Sequence, residues 1–341
     1  MNHQTTEVFF KGLDHVFHAS KVLLEFELFG FPVSIRWYGA IIAFGFTLAV
    51  LFGGRIAYKW KMNLDKMIDV LIWGTVAGIL GARLYYVAFH AEEFHSVADV
   101  FKIWEGGLAI YGGLIGGMLA GIVVCRVRKL NILNLMDIAG MSFLLGQGIG
   151  RWGNYANQEA FGINTELPWG MMSRETTAYL LSQQQMLAEK GMTVNPYAYV
   201  HPTFLYESIW CLLGFGLLYL ILRKYRKFSG QLILCYGIWY GIGRTVFEGL
   251  RTDSLYLWNT NIRVSQALSA LLVLTCAAIL IWRLLAVKRN PKPIEGVDFF
   301  VEEPKKKKDT KPETAQEAQT EIAQDAPTEE MNAAQNEEEK E

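Results

Sequence analysis

The chain contains seven apolar stretches that are each long enough to cross a lipid bilayer. A membrane-spanning helix needs about 20 mostly apolar residues, and stretches of roughly this length recur along the 341 residues. We place them at about 37–56, 67–89, 103–125, 132–150, 204–222, 231–249 and 264–286. Charged residues make up 19% of the chain, against about 25% in soluble domains. The sequence therefore predicts an all-α polytopic membrane protein with seven transmembrane helices.

Basic residues lie on alternate sides of these predicted helices, which indicates how the chain is oriented. Dense groups of Lys and Arg follow the first, third, fifth and seventh stretches: Arg55, Lys59, Lys61 and Lys66; Arg126, Arg128 and Lys129; Arg223, Lys224, Arg226 and Lys227; Arg283, Lys288, Arg289 and Lys292. Cytoplasmic loops carry this excess of basic residues. We therefore expect the N-terminus outside, the C-terminus in the cytoplasm, and a multi-pass protein of the cell (cytoplasmic) membrane.

The chain divides into three parts at the edges of the membrane region. Residues 1–36 are predicted to form a small outer arm and residues 37–286 a seven-helix membrane domain with an outer head loop at about 151–203. Residues 287–341 are predicted to be a disordered acidic cytoplasmic tail. Residues 290–341 hold 15 acidic and 7 basic side chains, so the remainder of the chain has a formal net charge of +7.

Two segments outside the membrane have recognisable local patterns. Residues 22–36 alternate apolar and polar side chains around Gly30 and Pro32, which is typical of a β-hairpin. Residues 174–190 have the pattern of an amphipathic helix. The four cysteines all lie in apolar runs, where a thiol behaves as a small hydrophobic group, and this excludes a disulfide scaffold.

The end of the fourth stretch combines an arginine with amide side chains and glycine. Four glycines within eight residues are expected to loosen this end of the helix: Gly146, Gly148, Gly150 and Gly153. Arg151 and Asn154 are three residues apart and share a face if the segment is helical. A guanidinium with amides and free backbone N–H groups is a good receptor for phosphate. The alternative is an interfacial loop whose arginine reaches water past the lipid.

A second group of charges lies in the sixth stretch. Tyr240, Arg244 and Glu248 follow one another at intervals of four, so they share a stripe of a helix, and Arg251 continues it. Such charges near membrane depth are costly and usually face an interior or a wet cavity. We consider either a structural Arg–Glu pair or a second anion-binding arginine.

Other polar groups near the membrane have weaker signals. Arg83 is expected to pair with Glu105 or Glu248. His201 fits a helix-capping role, and Glu207 the role of a paired structural acid, at least as well as either fits a functional role. Small residues repeat at intervals of four in the second and third stretches, which allows close helix packing. The doublets Gly106–Gly107 and Gly112–Gly113 are expected to expose backbone to a cavity or ligand.

The chemistry indicated by these residues is metal-free. The sequence holds no metalloprotease HExxH motif, no metal-spaced His/Cys cluster, no GxSxG and no phosphate-binding Walker loop. It also lacks the paired Asp motif of metal-dependent membrane phosphotransferases. A reaction on an anionic phospholipid fits best, and a lipid or solute transporter that uses the arginines as an anion site is the alternative.

Six segments in the expected order resemble the prolipoprotein diacylglyceryl transferase family across roughly residues 20–286. The segments are RWYG (36–39), EGGLAIYGGLIGG (105–117), GRWGNYANQEAFG (150–162), HPTFLYE (201–207), YGIGRTVFEGLR (240–251) and RVSQ (263–266). The third segment carries the family signature. The resemblance implies seven spans with an outer N-terminus, which agrees with the charge pattern.

The resemblance implies transfer of the sn-1,2-diacylglyceryl group from phosphatidylglycerol to the lipobox cysteine thiol of a preprolipoprotein signal peptide. The by-product is sn-glycerol 1-phosphate, and neither cofactor, metal nor nucleic acid takes part. Arg151 and Arg244 match the family's essential arginines and Tyr38 its functional tyrosine. The remaining signature residues, expected to bind phosphatidylglycerol with the arginines, are Asn154, Glu159, Gly162 and Glu248.

The chain departs from the family pattern at one position. Tyr111 stands where some members carry a histidine that is proposed as a general base. This puts in doubt any scheme that requires an imidazole there, and it leaves Tyr111, Tyr38 and His201 as candidate bases.

Overall fold

The computed structural model describes residues 5–28, 30–94, 96–102, 106–252 and 263–290. Within these ranges the α-helices are α1 Trp37–Lys59, α2 Leu64–Phe89, α3 Val97–Phe101, α4 Ile110–Arg128, α5 Ile132–Asn157, α6 Arg174–Glu189, α7 Thr203–Lys224, α8 Gln231–Glu248 and α9 Val264–Arg289. The β-strands are β1 Thr5–Phe10, β2 Val16–Ser20, β3 Val22–Leu28, β4 Phe31–Arg36 and β5 Met171–Ser173.

Six of these helices are long and apolar enough to cross a membrane: α1, α2, α4, α5, α7 and α9. The protein is thus a polytopic membrane protein. Helix α8 has 18 residues and carries Gln231, Arg244 and Glu248, which lower its hydropathy. It packs against α5, α7 and α9. Because α8 is not one of the six candidate spans, the seventh span stays a prediction.

The outer surfaces of helices α4 and α9 are apolar. Large hydrophobic side chains such as Leu119, Leu274 and Trp282 are exposed along α4 and α9. Helix α5, in contrast, buries one face against α1, α7 and α8. Helix α5 is therefore the central helix of the bundle, and the outer helices present apolar side chains for lipid.

The predicted loosening of the fourth span is wrong, since α5 is helical without a break through residue 157. Its glycines serve close packing instead. A Cβ atom on Gly148 would lie 3.1 Å from the Leu212 side chain, and one on Gly153 would lie 2.9 Å from the ring of Tyr38. Each glycine therefore lets a neighbouring helix approach the backbone of α5.

The predicted third span also needs correction, because α4 begins at Ile110 rather than near residue 103. Gly106 and Gly107 precede it with positive φ angles of 99° and 69°, a conformation that suits glycine. Their carbonyls accept hydrogen bonds from Arg83 Nη1 at 2.7 and 3.0 Å. The carbonyls of this doublet therefore bind a side chain of α2.

Arg83 organises the connection between α2 and α4. Besides the two glycine carbonyls, its guanidinium donates to the carbonyls of Asp99 at 2.7 Å and Val100 at 2.8 Å. The predicted pairing with Glu105 falls outside the described residues, and the other predicted partner, Glu248, pairs with Arg244. Backbone carbonyls thus solvate this buried cation, and the pairing with Glu105 stays a prediction.

The part of the chain outside the bundle is not all helical, which corrects the predicted fold class. Strands β2, β1 and β5 form an antiparallel sheet in that order, and the sequence analysis predicted none of the three. The sheet and α6 enclose an apolar core that includes Val8, Met171, Leu180 and Val200. The predicted hairpin at residues 22–36 is confirmed as β3–β4, and the predicted amphipathic helix as α6.

A buried carboxylate in the first half of α5 holds the start of α8. Asp137 Oδ1 accepts the N–H groups of Leu232 and Ile233 at 2.8 and 3.0 Å, and Oδ2 accepts the N–H of Gly230 at 2.9 Å. The negative charge thereby caps the positive end of the α8 dipole. Arg226 donates to the same Oδ2 from Nε at 3.2 Å and from Nη2 at 3.1 Å, so the charge is also paired.

Two further residues complete this network. Arg226 Nη2 donates to Asn134 Oδ1 at 2.6 Å, and its guanidinium lies 4.2 Å from the ring centroid of Trp60 at the end of α1. The network therefore joins α1, α5 and the connection from α7 to α8.

We predict that Asp137→Asn strongly destabilises the protein, because removal of one partner of a buried ion pair costs about 3–5 kcal/mol. The matched control is Asp69→Asn, which breaks the exposed Asp69–Arg128 pair and costs no more than about 1 kcal/mol. The measurement is thermal unfolding in detergent, followed by tryptophan fluorescence. Equal melting temperatures for the two variants would show that the Asp137 network does not support the bundle.

Candidate functional site

One carboxylate joins two arginines where α5 approaches its end and α7 begins. Glu207 Oε2 lies 2.5 Å from Arg151 Nη2, and its Oε1 lies 3.9 Å from Arg251 Nη1. The Glu207 side chain is only 7% exposed, whereas a quarter of the Arg151 side chain is exposed. The acid therefore holds Arg151 from within the bundle. Glu207 therefore forms ion pairs, as the sequence analysis considered for a structural acid.

The second predicted arginine is held in the same manner. Arg244 Nη2 lies 2.8 Å from Glu248 Oε2 on the next turn of α8, and the two side chains are 25% and 4% exposed. The Arg–Glu pair that the sequence analysis considered is thus present. The Arg244 side chain is partly exposed, so the pair leaves both predicted roles open.

The two arginines belong to one connected set of groups. The N–H of Arg251 donates to the carbonyl of Glu248 at 3.2 Å, and the Arg251 side chain reaches Glu207. We call Arg151, Glu207, Arg251, Glu248 and Arg244 the arginine–carboxylate cluster. It carries three positive and two negative charges when all five groups are ionised.

The signature residues after Arg151 form a hydrogen-bonded turn beside the cluster. Arg151 Nη1 lies 3.5 Å from Asn154 Oδ1, which confirms that these two residues share a helix face. The amide groups of Asn154 and Asn157 donate to Glu159 Oε1 at 3.0 and 3.3 Å. Glu159 therefore fixes the orientation of Asn154, whose carbonyl oxygen faces Arg151.

Gly162 lies where three segments of backbone meet. Its N–H donates to the carbonyl of His201 at 2.9 Å, and the next N–H, of Ile163, donates to Leu250 at 2.8 Å. A Cβ on residue 162 would lie 2.8 Å from the His201 Cβ and 3.0 Å from the Leu250 carbonyl oxygen. No side chain fits at this crossing, which places Arg251 next to the start of α7.

The two predicted tyrosines lie in different surroundings. Tyr38 is in the first turn of α1, with its ring against Gly153 and therefore two residues from Arg151. Tyr111 is in the first turn of α4 and is exposed. Among the described residues, no hydrogen bond or ion pair joins Tyr111 to the arginine–carboxylate cluster.

His201 belongs to a short polar chain near the start of α7. Trp169 Nε1 donates to the Tyr206 hydroxyl at 2.7 Å, and that hydroxyl lies 3.2 Å from His201 Nδ1. Burial lowers the pKa of His201 below its usual value, so the imidazole is neutral at neutral pH. It orders the segment that leads to Glu207.

A pair of tryptophans fixes the register of α7 against α8, and sequence reasoning missed it. Trp210 and Trp239 stack with ring centroids 4.2 Å apart. Each indole N–H donates to the other residue's backbone carbonyl, at 3.1 and 3.0 Å. Gly214 and Gly243 make room for the two rings. Because Trp210 follows Glu207 by one turn, this contact also sets the height of Glu207 along α8.

Fold and site together define a polytopic membrane protein with two arginine–glutamate pairs, Arg151–Glu207 and Arg244–Glu248, in the helices of its bundle. The described residues hold no group of three or more His, Cys, Asp or Glu side chains placed to bind a metal ion.

Comparison with known proteins identifies the family. Residues 26–282 match the family model described as prolipoprotein diacylglyceryl transferase. The chain is 42% identical over 264 residues to the phosphatidylglycerol–prolipoprotein diacylglyceryl transferases of Staphylococcus aureus strains Newman and JH9. Each match covers 76% of this chain and 88% of the relative. The chain belongs to the prolipoprotein diacylglyceryl transferase family.

We predict that Gly162→Ala lowers the thermal stability in detergent, because the new methyl group displaces the backbone of His201 or Leu250. Gly216→Ala in α7 is the matched control, since a Cβ there has no neighbour within 4 Å. Unfolding temperatures of both variants are compared with that of the unaltered protein. If Gly162→Ala melts no lower than Gly216→Ala, a methyl group fits at residue 162 and the steric argument is wrong.

Proposed function

We propose that this chain transfers the sn-1,2-diacylglyceryl group of phosphatidylglycerol to the lipobox cysteine thiol of a preprolipoprotein. The product is a thioether, and sn-glycerol 1-phosphate is released. Family membership and the names of the Staphylococcus aureus relatives support both substrates and favour a transferase over a transporter. One observation of the site carries the proposal: Arg151 and Arg244 each pair with a buried carboxylate, and each arginine side chain is itself partly exposed.

The proposed setting is the cell membrane, with the arginine–carboxylate cluster at the outer end of seven spans. Helix α8 is included as a span because it packs within the bundle. Basic residues at the last turns of α1, α4, α7 and α9 support a cytoplasmic location for the opposite end. The N-terminus then lies outside and the C-terminal tail inside.

The proposed reaction is a displacement at the sn-3 carbon of the diacylglyceryl group. The thiolate sulfur forms a bond to this carbon, the carbon–oxygen bond to phosphate breaks, and its electron pair leaves on the phosphate oxygen. Negative charge therefore grows on the phosphate in the transition state. Arg151 and Arg244 stabilise this charge, and preorganised donors of this type contribute on the order of 10²–10³ in rate.

The remaining signature residues position the lipid headgroup. Asn154, held by Glu159, offers its carbonyl oxygen beside Arg151 and orients the glycerol of the leaving group. Gly162 keeps Arg251 beside Glu207. Glu248 holds Arg244 in place, and the fixed geometry aligns sulfur, carbon and oxygen, an effect worth several kcal/mol.

The thiol proton must leave before or during the attack. A free cysteine thiol has a pKa of about 8.5, which neighbouring cations lower, so three arginines near the reacting groups favour the thiolate. We propose Tyr38 and Tyr111 as the residues that meet the incoming peptide, Tyr38 from beside Arg151 and Tyr111 from the exposed start of α4. Neutral His201 remains a third candidate proton acceptor.

We predict that Arg151→Lys and Arg244→Lys each lower the transfer rate by about 10²-fold or more, because lysine cannot bind phosphate bidentately. The assay uses purified protein in vesicles that contain phosphatidylglycerol, a synthetic lipobox peptide and mass detection of the diacylglyceryl adduct. Arg128→Lys, at the far end of α4, is the matched control.

Two results would contradict this assignment. Near-normal transfer by a folded Arg151→Lys or Arg244→Lys protein removes that residue from the chemistry. Absence of any adduct with the unaltered protein, in vesicles where the peptide inserts, argues for the transporter alternative.

The tyrosines are separated by Tyr38→Phe and Tyr111→Phe. If the phenol hydroxyl takes part, we expect each change to lower kcat by about 10-fold or more while the melting temperature stays within a few degrees. The pH profile of kcat is recorded for both variants. A variant with an unchanged rate and pH profile excludes its tyrosine from the reaction.

A further inference from the structure

The β3–β4 hairpin has one completely apolar face. Direct cross-strand partners project on the same side of a two-stranded sheet. The paired residues Leu24 with Ile35, Phe26 with Val33, and Leu28 with Phe31 therefore share one face. On the opposite face Glu25 pairs with Ser34 and Glu27 with Pro32. The hairpin is thus amphipathic, with its charges confined to one side.

The apolar face is open in the structure. Phe31 is 73% exposed and Leu24 53%, and Phe26, Leu28 and Ile35 are exposed as well. An isolated two-stranded hairpin is marginally stable in water, and a contiguous apolar patch of this kind marks an interaction surface. The other sheet of the molecule, in contrast, buries its apolar residues Val8 and Ala19.

The position of the hairpin indicates what covers this face. Strand β4 ends at Arg36, and α1, a candidate membrane span, begins at the next residue. The N–H of Trp37 donates to the carbonyl of Lys21 at 3.1 Å, which joins the residue before the hairpin to the first residue of α1. Trp37 and Tyr38 are exposed there, and exposed Trp and Tyr at helix ends typically lie at the membrane–water boundary.

We propose that the apolar face of the β3–β4 hairpin rests in the interfacial layer of the lipid bilayer, with Glu25 and Glu27 turned toward water. The hairpin continues the apolar surface of α1 from the hydrocarbon region into the headgroup region. It thereby holds the first turn of α1, and Tyr38 with it, at the depth of the lipid headgroups. The contact with lipid is independent of the proposed transfer reaction.

The proposal is tested with fluorescent labels on single cysteines. The four native cysteines, which lie in α4, α7, α8 and α9, are replaced by alanine. Phe26→Cys and Leu28→Cys probe the apolar face, and Glu25→Cys and Glu27→Cys probe the charged face. Each protein is labelled with an environment-sensitive dye and placed in phosphatidylglycerol nanodiscs that hold one copy. Leu13→Cys, an exposed leucine outside the hairpin, is the matched control.

The proposal predicts that accessibility alternates along the strand. Labels at residues 26 and 28 are quenched several-fold more by doxyl lipids than by aqueous iodide, and labels at residues 13, 25 and 27 show the reverse. Iodide quenching that is equal at all five positions overturns the proposal. So does iodide quenching at residues 26 and 28 that disappears only with two copies per disc, which assigns the face to a second chain.

Discussion

Charge burial within an apolar bundle is the constraint on which this structure depends, and α5 meets it at both of its ends. Asp137 and Arg151 are 14 residues apart, a separation of about 21 Å along a helix. Asp137 pairs with Arg226 and caps α8, whereas Arg151 pairs with Glu207 at the start of α7. Each network joins α5 to a different part of its neighbours. The bundle is therefore fixed ionically at two levels, and apolar packing fills the space between them.

The two networks differ in how far their arginine side chains are exposed. Arg226 and Asp137 are almost completely buried, and their hydrogen-bonding atoms are occupied by backbone and side-chain groups. Arg151 and Arg244 are partly exposed although their carboxylate partners are not. In the proposed reaction, these partly exposed arginines exchange solvent for a phosphate. On the proposed mechanism, the same kind of ion pair serves stability at one end and ligand binding at the other.

Sequence patterns predicted the six candidate membrane helices and the hairpin because hydrophobic length and alternation act locally, although the start of α4 was placed too early. They also placed Arg151 and Asn154 on one helix face. Glycine was misread, since a run of glycines has the same composition whether it loosens a helix or admits a neighbour. Gly148 and Gly153 serve the second purpose, which depends on Leu212 and Tyr38 far along the chain.

Partners that are distant in sequence could not be predicted for the same reason. The carbonyls that bind Arg83 and the two tryptophans that join α7 to α8 have no motif of their own. Strand β1 was missed because it pairs with β5, which is more than 150 residues away, and β2 was missed with it because its partner in the sheet is β1. The link from Arg151 through Glu207 and Arg251 to Glu248 likewise needs coordinates, although each residue had been singled out.

The central claim is that Arg151 and Arg244 act on one departing phosphate. A double-mutant cycle on the transfer rate, with Arg151→Lys, Arg244→Lys and the double variant, measures this directly by mass detection of the peptide adduct. The account predicts a coupling of about 0.5–3 kcal/mol between the two positions, as for groups that share one partner. Rate losses that simply multiply in the double variant would contradict it, because they would place the two arginines at independent sites.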